Sequence, residues 1–242
     1  MGTAAIKPAF SMGRALKSPN CSLSREAYQV VRQRILCGEF ELGQQVSRRK
    51  IASELGMSFL PVSEALLRLE SEGLLESRPR AGTRVRIPSP EDLDGHYIVR
   101  EALETQAARL FAERATPEEK AGTLLLARQV DAAAGGDRGE YLLLHQNLHA
   151  RIANLAGSKA LSEAIERAHA VASAWLCLGR EAGHGIRHEI LVEKLTTLSP
   201  ADAAEAMREH VRGAHPQALK RLTPYFGLRK ATYTRGAKPA LD

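Results

Sequence analysis

From residue 24 onward, apolar positions recur at helical spacing and are interrupted by short Gly- and Pro-containing breaks. In "SREAYQVVRQRILC" they fall at Tyr28, Val31, Ile35 and Leu36, one stripe of a helix. Ser24 is placed to cap that helix and Gly38 to end it. "SRRKIASELG" predicts a second helix, opened by Ser47 and closed by Gly56. In "SFLPVSEALLRLESEG" Ser58 precedes a third, whose buried face is Val62, Ala65, Leu66 and Leu69. Pro61 lies in its first turn, where a missing N–H costs little. "LLESRPRAGTRVRIP" then alternates around a Gly-containing turn, which predicts a hairpin with strands near Leu74–Ser77 and Arg84–Ile87.

Two prolines in "PSPEDL" (residues 88–93) break the pattern and read as a linker and hinge. Beyond them every segment has helical spacing: 90–115, 117–134, 137–156, 158–178, 186–197 and 200–221. The expected fold is mostly α, an N-terminal winged helix-turn-helix followed by a C-terminal all-α bundle. The boundaries read as a flexible arm over 1–20, the winged domain over 21–88, the bundle over 89–223 and a basic tail over 224–242.

The net charge of +6 changes this picture through its placement. Residues 1–90 hold 14 Lys and Arg against 8 Asp and Glu, whereas residues 91–242 hold 20 of each. The asymmetry points to a small polyanion-binding module joined to a neutral one. No apolar run approaches the roughly 18 residues of a membrane span, so no membrane partner is expected. Cys21, Cys37 and Cys177 are scattered and odd in number, which fits a reducing, cytoplasmic setting rather than a disulfide framework.

Two helices joined by "GMS" are the sequence form of a helix-turn-helix. Arg48, Arg49 and Lys50 open its first helix, and Arg78, Arg80, Arg84 and Arg86 crowd the hairpin, where a wing lies along phosphates. The long pattern "I..GEF..G..VS...IA..LG.S..PV.EAL.RLE.EGL.E..PR.GT.V" resembles the DNA-binding domain of GntR-type bacterial transcription regulators. "YIVREALETQAARL", "HARIANLAGS" and "RHEILVEKL" resemble the FadR-like branch with an FCD effector domain, so that the likeness covers about residues 24–222.

The DNA-contacting set expected here is Arg48, Arg49, Lys50, Ser58, Phe59, Ser63, Arg68, Arg80, Thr83 and Arg84, of which the resemblance itself carries over Arg49 and Thr83. Two of these depart from the pattern, since family members carry arginine where this chain has Phe59 and Ser63. An apolar side chain can contact a thymine methyl and a serine can bond either kind of base edge. The third helix is therefore expected to read a different sequence.

"HQNLH" places His145 and His149 one helical turn apart, close enough to share a metal, although such a pair is also common decoration. The family holds a metal with an aspartate and three histidines, which map here onto His145, His149, His188 and His210, with His145 in the aspartate's place. Imidazole for carboxylate favours zinc, or else nickel, over manganese. His96, His169 and His215 have no such support and read as structural or exposed. Arg100 is either the counter-ion of a small organic or sugar acid, as the resemblance implies, or the partner of Glu104.

No H-E-x-x-H, nucleophile elbow, P-loop or dinucleotide fingerprint occurs, and residue 146 is Gln. The expectation is thus a non-enzymatic, ligand-responsive regulator, a repressor by family habit, acting as a homodimer on a double-stranded DNA operator. The alternative is a regulator for which the metal itself is the signal.

Overall fold

The computed structural model describes residues 19–79, 81–176 and 187–234. Helix α1 (Pro19–Leu36) packs along α3 (Phe59–Ser71), with α2 (Arg48–Leu55) across them. Ser47 caps α2 by accepting from the Lys50 N–H, and Gly56 closes it in the left-handed region at φ 62°. That φ lets α3 start three residues later. Val31, Ile35, Val62, Leu66 and Leu69 are buried between the helices. Each contributes about 1.5–3 kcal/mol, enough to lock the helix-turn-helix onto α1.

The hairpin pairs β1 (Leu75–Arg78) with β2 (Gly82–Val85), with Leu75 opposite Val85 and Ser77 opposite Thr83. Both strands are displaced from the expected Leu74–Ser77 and Arg84–Ile87. The Leu74 N–H is drawn back to the Leu69 carbonyl, closing the end of α3. The turn then tightens to three residues, with Gly82 at φ 79°. Residues 43–46 lie against β2 through Gly43, Val46 and Val85 backbone bonds.

Helix α1 begins at Pro19, not at Ser24; proline's fixed φ suits a first helical position. Of the expected arm, residues 1–18 lie outside the described residues, as do Arg80, Cys177 and His184. "PSPEDL" is no loose hinge. Ser89 and Asp92 form a reciprocal capping box, Leu93 is buried, and Arg86 of the wing donates to Asp92 at 2.7 Å.

The bundle comprises α4 (Pro90–Arg114), α5 (Pro117–Ala133), α6 (Arg138–Leu155), α7 (Lys159–Leu176), α8 (His188–Thr197) and α9 (Pro200–Thr234). Helix α4 runs against α9 and also meets α6, α7 and α8. Phe111, Leu148, Ile152, Trp175, Leu195, Met207 and Leu222 fill the space between them. The expected loose tail from residue 224 is instead the last part of α9. Pro216 and Pro224 lie inside that helix, and Tyr225 and Phe226 still pack on the core beyond the second proline. Their burial holds the helix on where proline alone would end it. Residues 235–242 lie outside the described residues.

Candidate functional site

Two groups of side chains carry chemistry, one on the winged domain and one inside the bundle. On the winged domain α3 turns Phe59 and Leu60 outward, 53% and 55% exposed. Ser58 precedes them with its side chain uncommitted to capping. The Ser63 hydroxyl donates to the Phe59 carbonyl at 2.9 Å. Arg49 and Lys50 are exposed on α2.

Among the described residues Arg48, Arg68 and Arg84 are engaged, and Lys50 lies 3.9 Å from Glu54. Arg48 donates to Thr83 Oγ1 at 3.2 Å, and Arg68 donates to Glu72 at 3.1 Å while lying 4.0 Å above the Tyr28 ring. Arg84 donates to Glu76, its cross-strand partner, at 2.5 Å. Thr83 is buried, its hydroxyl shared between Arg48 and Ser77, so it braces the wing from within rather than facing solvent.

Inside the bundle, α6, α8 and α9 bring His145, His149, His188 and His210 together. Ring centroids are 4.6 Å apart for His145–His149, 4.9 Å for His145–His188, 5.5 Å for His149–His210 and 5.3 Å for His188–His210. One nitrogen from each of His145, His149 and His188 lies within 4.8 Å of the others. His149 Nε2, His188 Nε2 and His210 Nδ1 are buried without a hydrogen-bond partner. Each such orphan costs about 1–3 kcal/mol, so partnerless nitrogens on neighbouring rings fit a cation that accepts their lone pairs.

The surrounding shell also fits. Asp131 on α5 faces His188 Nδ1 at 3.1 Å and accepts from the backbone N–H groups of His188 and Glu189 at 2.9 and 3.0 Å. A carboxylate only accepts, so the proton sits on Nδ1 and the Nε2 lone pair points into the cluster. Burial, reinforced by neighbouring imidazoles, holds His145 and His210 well below the ordinary histidine range and pushes His149 down to about 3. Burial lowers His188 too, against the pull of Asp131. At neutral pH all four rings are uncharged and able to ligate.

Glu104 on α4 closes the far side. Its Oε1 accepts from Arg100 Nε at 2.7 Å and lies 3.1 Å from His169 Nε2, while Oε2 lies 2.9 Å from His149 Nδ1. Neither ring contact lies along an N–H direction. Burial alone raises a carboxyl, but Arg100, His169 and His149 outweigh it and hold Glu104 well below the usual carboxylate range. Glu104, His149 and His169 could themselves surround an ion. The Arg100 guanidinium already neutralises that carboxylate and opposes a second cation there. Glu104 is better placed to support His149 from behind.

Residues 23–85 match the model of "Bacterial regulatory proteins, gntR family" and residues 96–213 that of the "FCD domain". Over 188 residues the chain is 33% identical to the "Probable D-xylose utilization operon transcriptional repressor" of Paenarthrobacter nicotinovorans, covering 74% of this chain and 81% of that protein. The chain belongs to the GntR family. It is a DNA-binding transcriptional regulator with an FCD domain, not an enzyme. The "HTH-type transcriptional regulator McbR" of Escherichia coli is 27% identical over 82% of each chain. The solved "transcriptional regulator GntR from Rhodococcus sp. RHA1" shares the fold, with a TM-score of 0.71 and 23% identity over 82% of this chain and 98% of that one. No helix among the described residues of this GntR regulator is long and apolar enough to cross a membrane.

The regulator's fold gathers the four histidines nominated from sequence and adds Glu104, His169 and Asp131 around them. Arg100 is paired with Glu104 through Nε. Their spacing of four in "REALE" was the available signal. His169, expected to be structural or exposed, is buried with its ring 4.3 Å from that of His149. Neither His169 nor Asp131 carries a local signal, because only the packing of α5 and α7 brings them to the cluster.

Proposed function

We propose that this GntR regulator is a repressor that binds its operator as a homodimer and responds to a small carboxylate effector at the histidine cluster of its FCD domain. His145, His149, His188 and His210 would hold a divalent cation there, zinc first and nickel second. The observation that carries this reading is that one nitrogen from each of His145, His149 and His188 lies within 4.8 Å of the others, with His188 faced by Asp131. When bound, such an ion supplies a Lewis-acidic position for an effector carboxylate or hydroxyl.

The protein's own groups do the rest. Glu104 anchors Arg100 through Nε, so that the guanidinium presents a fixed positive charge to the effector anion. Asp131 keeps the His188 proton away from the cluster. Arg49, Lys50 and the wing attach the N-terminal domain to phosphates, and α3 enters the groove. The test is operator binding by fluorescence anisotropy, with metal content measured after dialysis and a panel of small organic and sugar acids added. Retained metal with acid-dependent release of DNA supports the proposal; metal-free protein that binds DNA regardless of any acid refutes it.

One observation favours a second reading, in which the metal itself is the signal. The four-histidine set is neutral, and its nearest carboxylates, Glu104 and Asp131, are each engaged by other donors. A divalent cation among neutral ligands keeps its full charge in a buried site, a desolvation cost that an ionised ligand would offset, and so is held more reversibly. Metal lost on dialysis, with DNA binding that follows added zinc, decides for this reading.

A further inference from the structure

The core face of α3 is Val62, Ala65, Leu66 and Leu69. On its opposite side Phe59, Leu60 and Leu67 are 53%, 55% and 57% exposed. At roughly 100° per residue, these three and Ser63 share one arc of the helix surface. No packing among the described residues requires this stripe.

The polar groups of the stripe offer little to a base. The Ser63 hydroxyl proton is spent on the Phe59 carbonyl. Exposed Glu64 can accept from a cytosine amino group but has no donor for guanine. Arg68 is bound to Glu72 and stacked on Tyr28. Exposed Arg49 and Lys50 on the preceding helix supply the positive charge that draws this face to DNA. The first turn of the reading helix therefore presents carbon to the groove, and the major groove of unmodified DNA offers one carbon group in return, the thymine C5 methyl.

We propose that Phe59 and Leu60 recognise thymine methyl groups, so that the operator half-site is specified by thymine at the positions facing the start of α3, not by guanine. The proposal rests on the reading that α3 enters the major groove. The apolar side chains discriminate by burial, and the cations of α2 hold the helix in register without reading sequence.

The test begins by selecting tight-binding duplexes from a random library with the full-length protein. Each thymine of the selected site is then replaced by deoxyuridine, which removes only the methyl. One or two replacements should weaken binding about fourfold each, leaving the slope of log K against log salt unchanged because no phosphate contact is lost. Phe59→Ala or Leu60→Ala, at exposed positions that leave the core intact, should bind that site more weakly and be indifferent to deoxyuridine at the matching position.

Sequence-specific binding that no deoxyuridine weakens overturns the proposal and leaves the DNA-reading role of α3 standing. Sensitivity that persists in both alanine variants overturns it as well. If no sequence is selected over random DNA, groove entry by α3 fails with it. Sedimentation of wild type against Leu60→Ala then shows whether the stripe is a protein contact instead.

Discussion

In the winged domain, Arg48, Arg68, Arg84 and Arg86 each have a protein partner within hydrogen-bonding distance. In the bundle, His149, His188 and His210 each keep a buried nitrogen with none. The first region carries the whole excess positive charge yet has much of it answered internally. The second is neutral by count and holds a concentrated unmet demand for a ligand. Formal charge thus overstates what the winged domain offers to DNA, and says nothing of what the bundle offers to a cation. The departures from the family pattern follow the same division. Phe59 and Ser63 stand at the surface, where a change of reader leaves the core untouched. His145 stands inside the cluster, where exchanging carboxylate for imidazole changes the charge of the whole site.

The largest effect that would break this contrast is on metal binding. His188→Ala or His210→Ala should lower zinc affinity by about 100-fold or more, read by competition with a chromophoric chelator; unchanged affinity would mean the orphaned nitrogens are not ligands. Next comes the buried pair. Glu104→Ala strands Arg100 and should cost about 3–5 kcal/mol in urea denaturation. Arg100→Met combined with Glu104→Leu should recover most of that loss. A double variant as unstable as the single one would show that the pair is needed for folding itself.

A smaller effect concerns pH. Burial, with Arg100 and His169 nearby, pushes His96 down to about 4 from 6.5, its ring edge-on to Trp175 at 5.0 Å. Its folded pKa is depressed, so the unfolded chain takes up the proton first as pH falls. Stability should be full above pH 6.5 and decline toward about 4. Denaturation midpoints of metal-free protein at pH 7 and 5 measure the sum over all the depressed histidines, and His96→Gln should reduce the difference by the share of His96 alone. The smallest effect sharpens the other half of the comparison. Arg49→Ala should weaken binding uniformly across DNA sequences and reduce the salt slope by about one. Arg84→Ala, which loses a side chain already held by Glu76, should change the slope less.

Much of this architecture was legible because its punctuation is local. Ser47 and Gly56 act on backbone groups within a few residues of their own positions and mark helix ends wherever they occur. The hairpin slipped because its register depends on how α3 ends, and α9 outran its prolines because Tyr225 and Phe226 find the core. The same divide runs through the site. His145 and His149 announce themselves by spacing, and Arg100 with Glu104 could have. Asp131 and His188 are separated by 57 residues, and His169 reaches His149 from another helix; neither partnership leaves a local trace. The pairing of the wing arginines was invisible for a related reason, since it needs the strand register that sets Glu76 opposite Arg84.

Helix α8 has no cap of its own. Arg187 precedes it without a side-chain bond to its N-terminus, and the first two N–H groups are satisfied by Asp131 from the end of α5. The same carboxylate faces the His188 ring. The start of a helix and the aim of a ligand therefore hang on one residue of a different helix. A displacement of α5 from α8 unwinds the one as it releases the other. On the proposed reading, amide exchange along α8 should gauge site occupancy, slow with a cation in the cluster and faster without one, in a segment more than 100 residues from the helix proposed to meet the DNA.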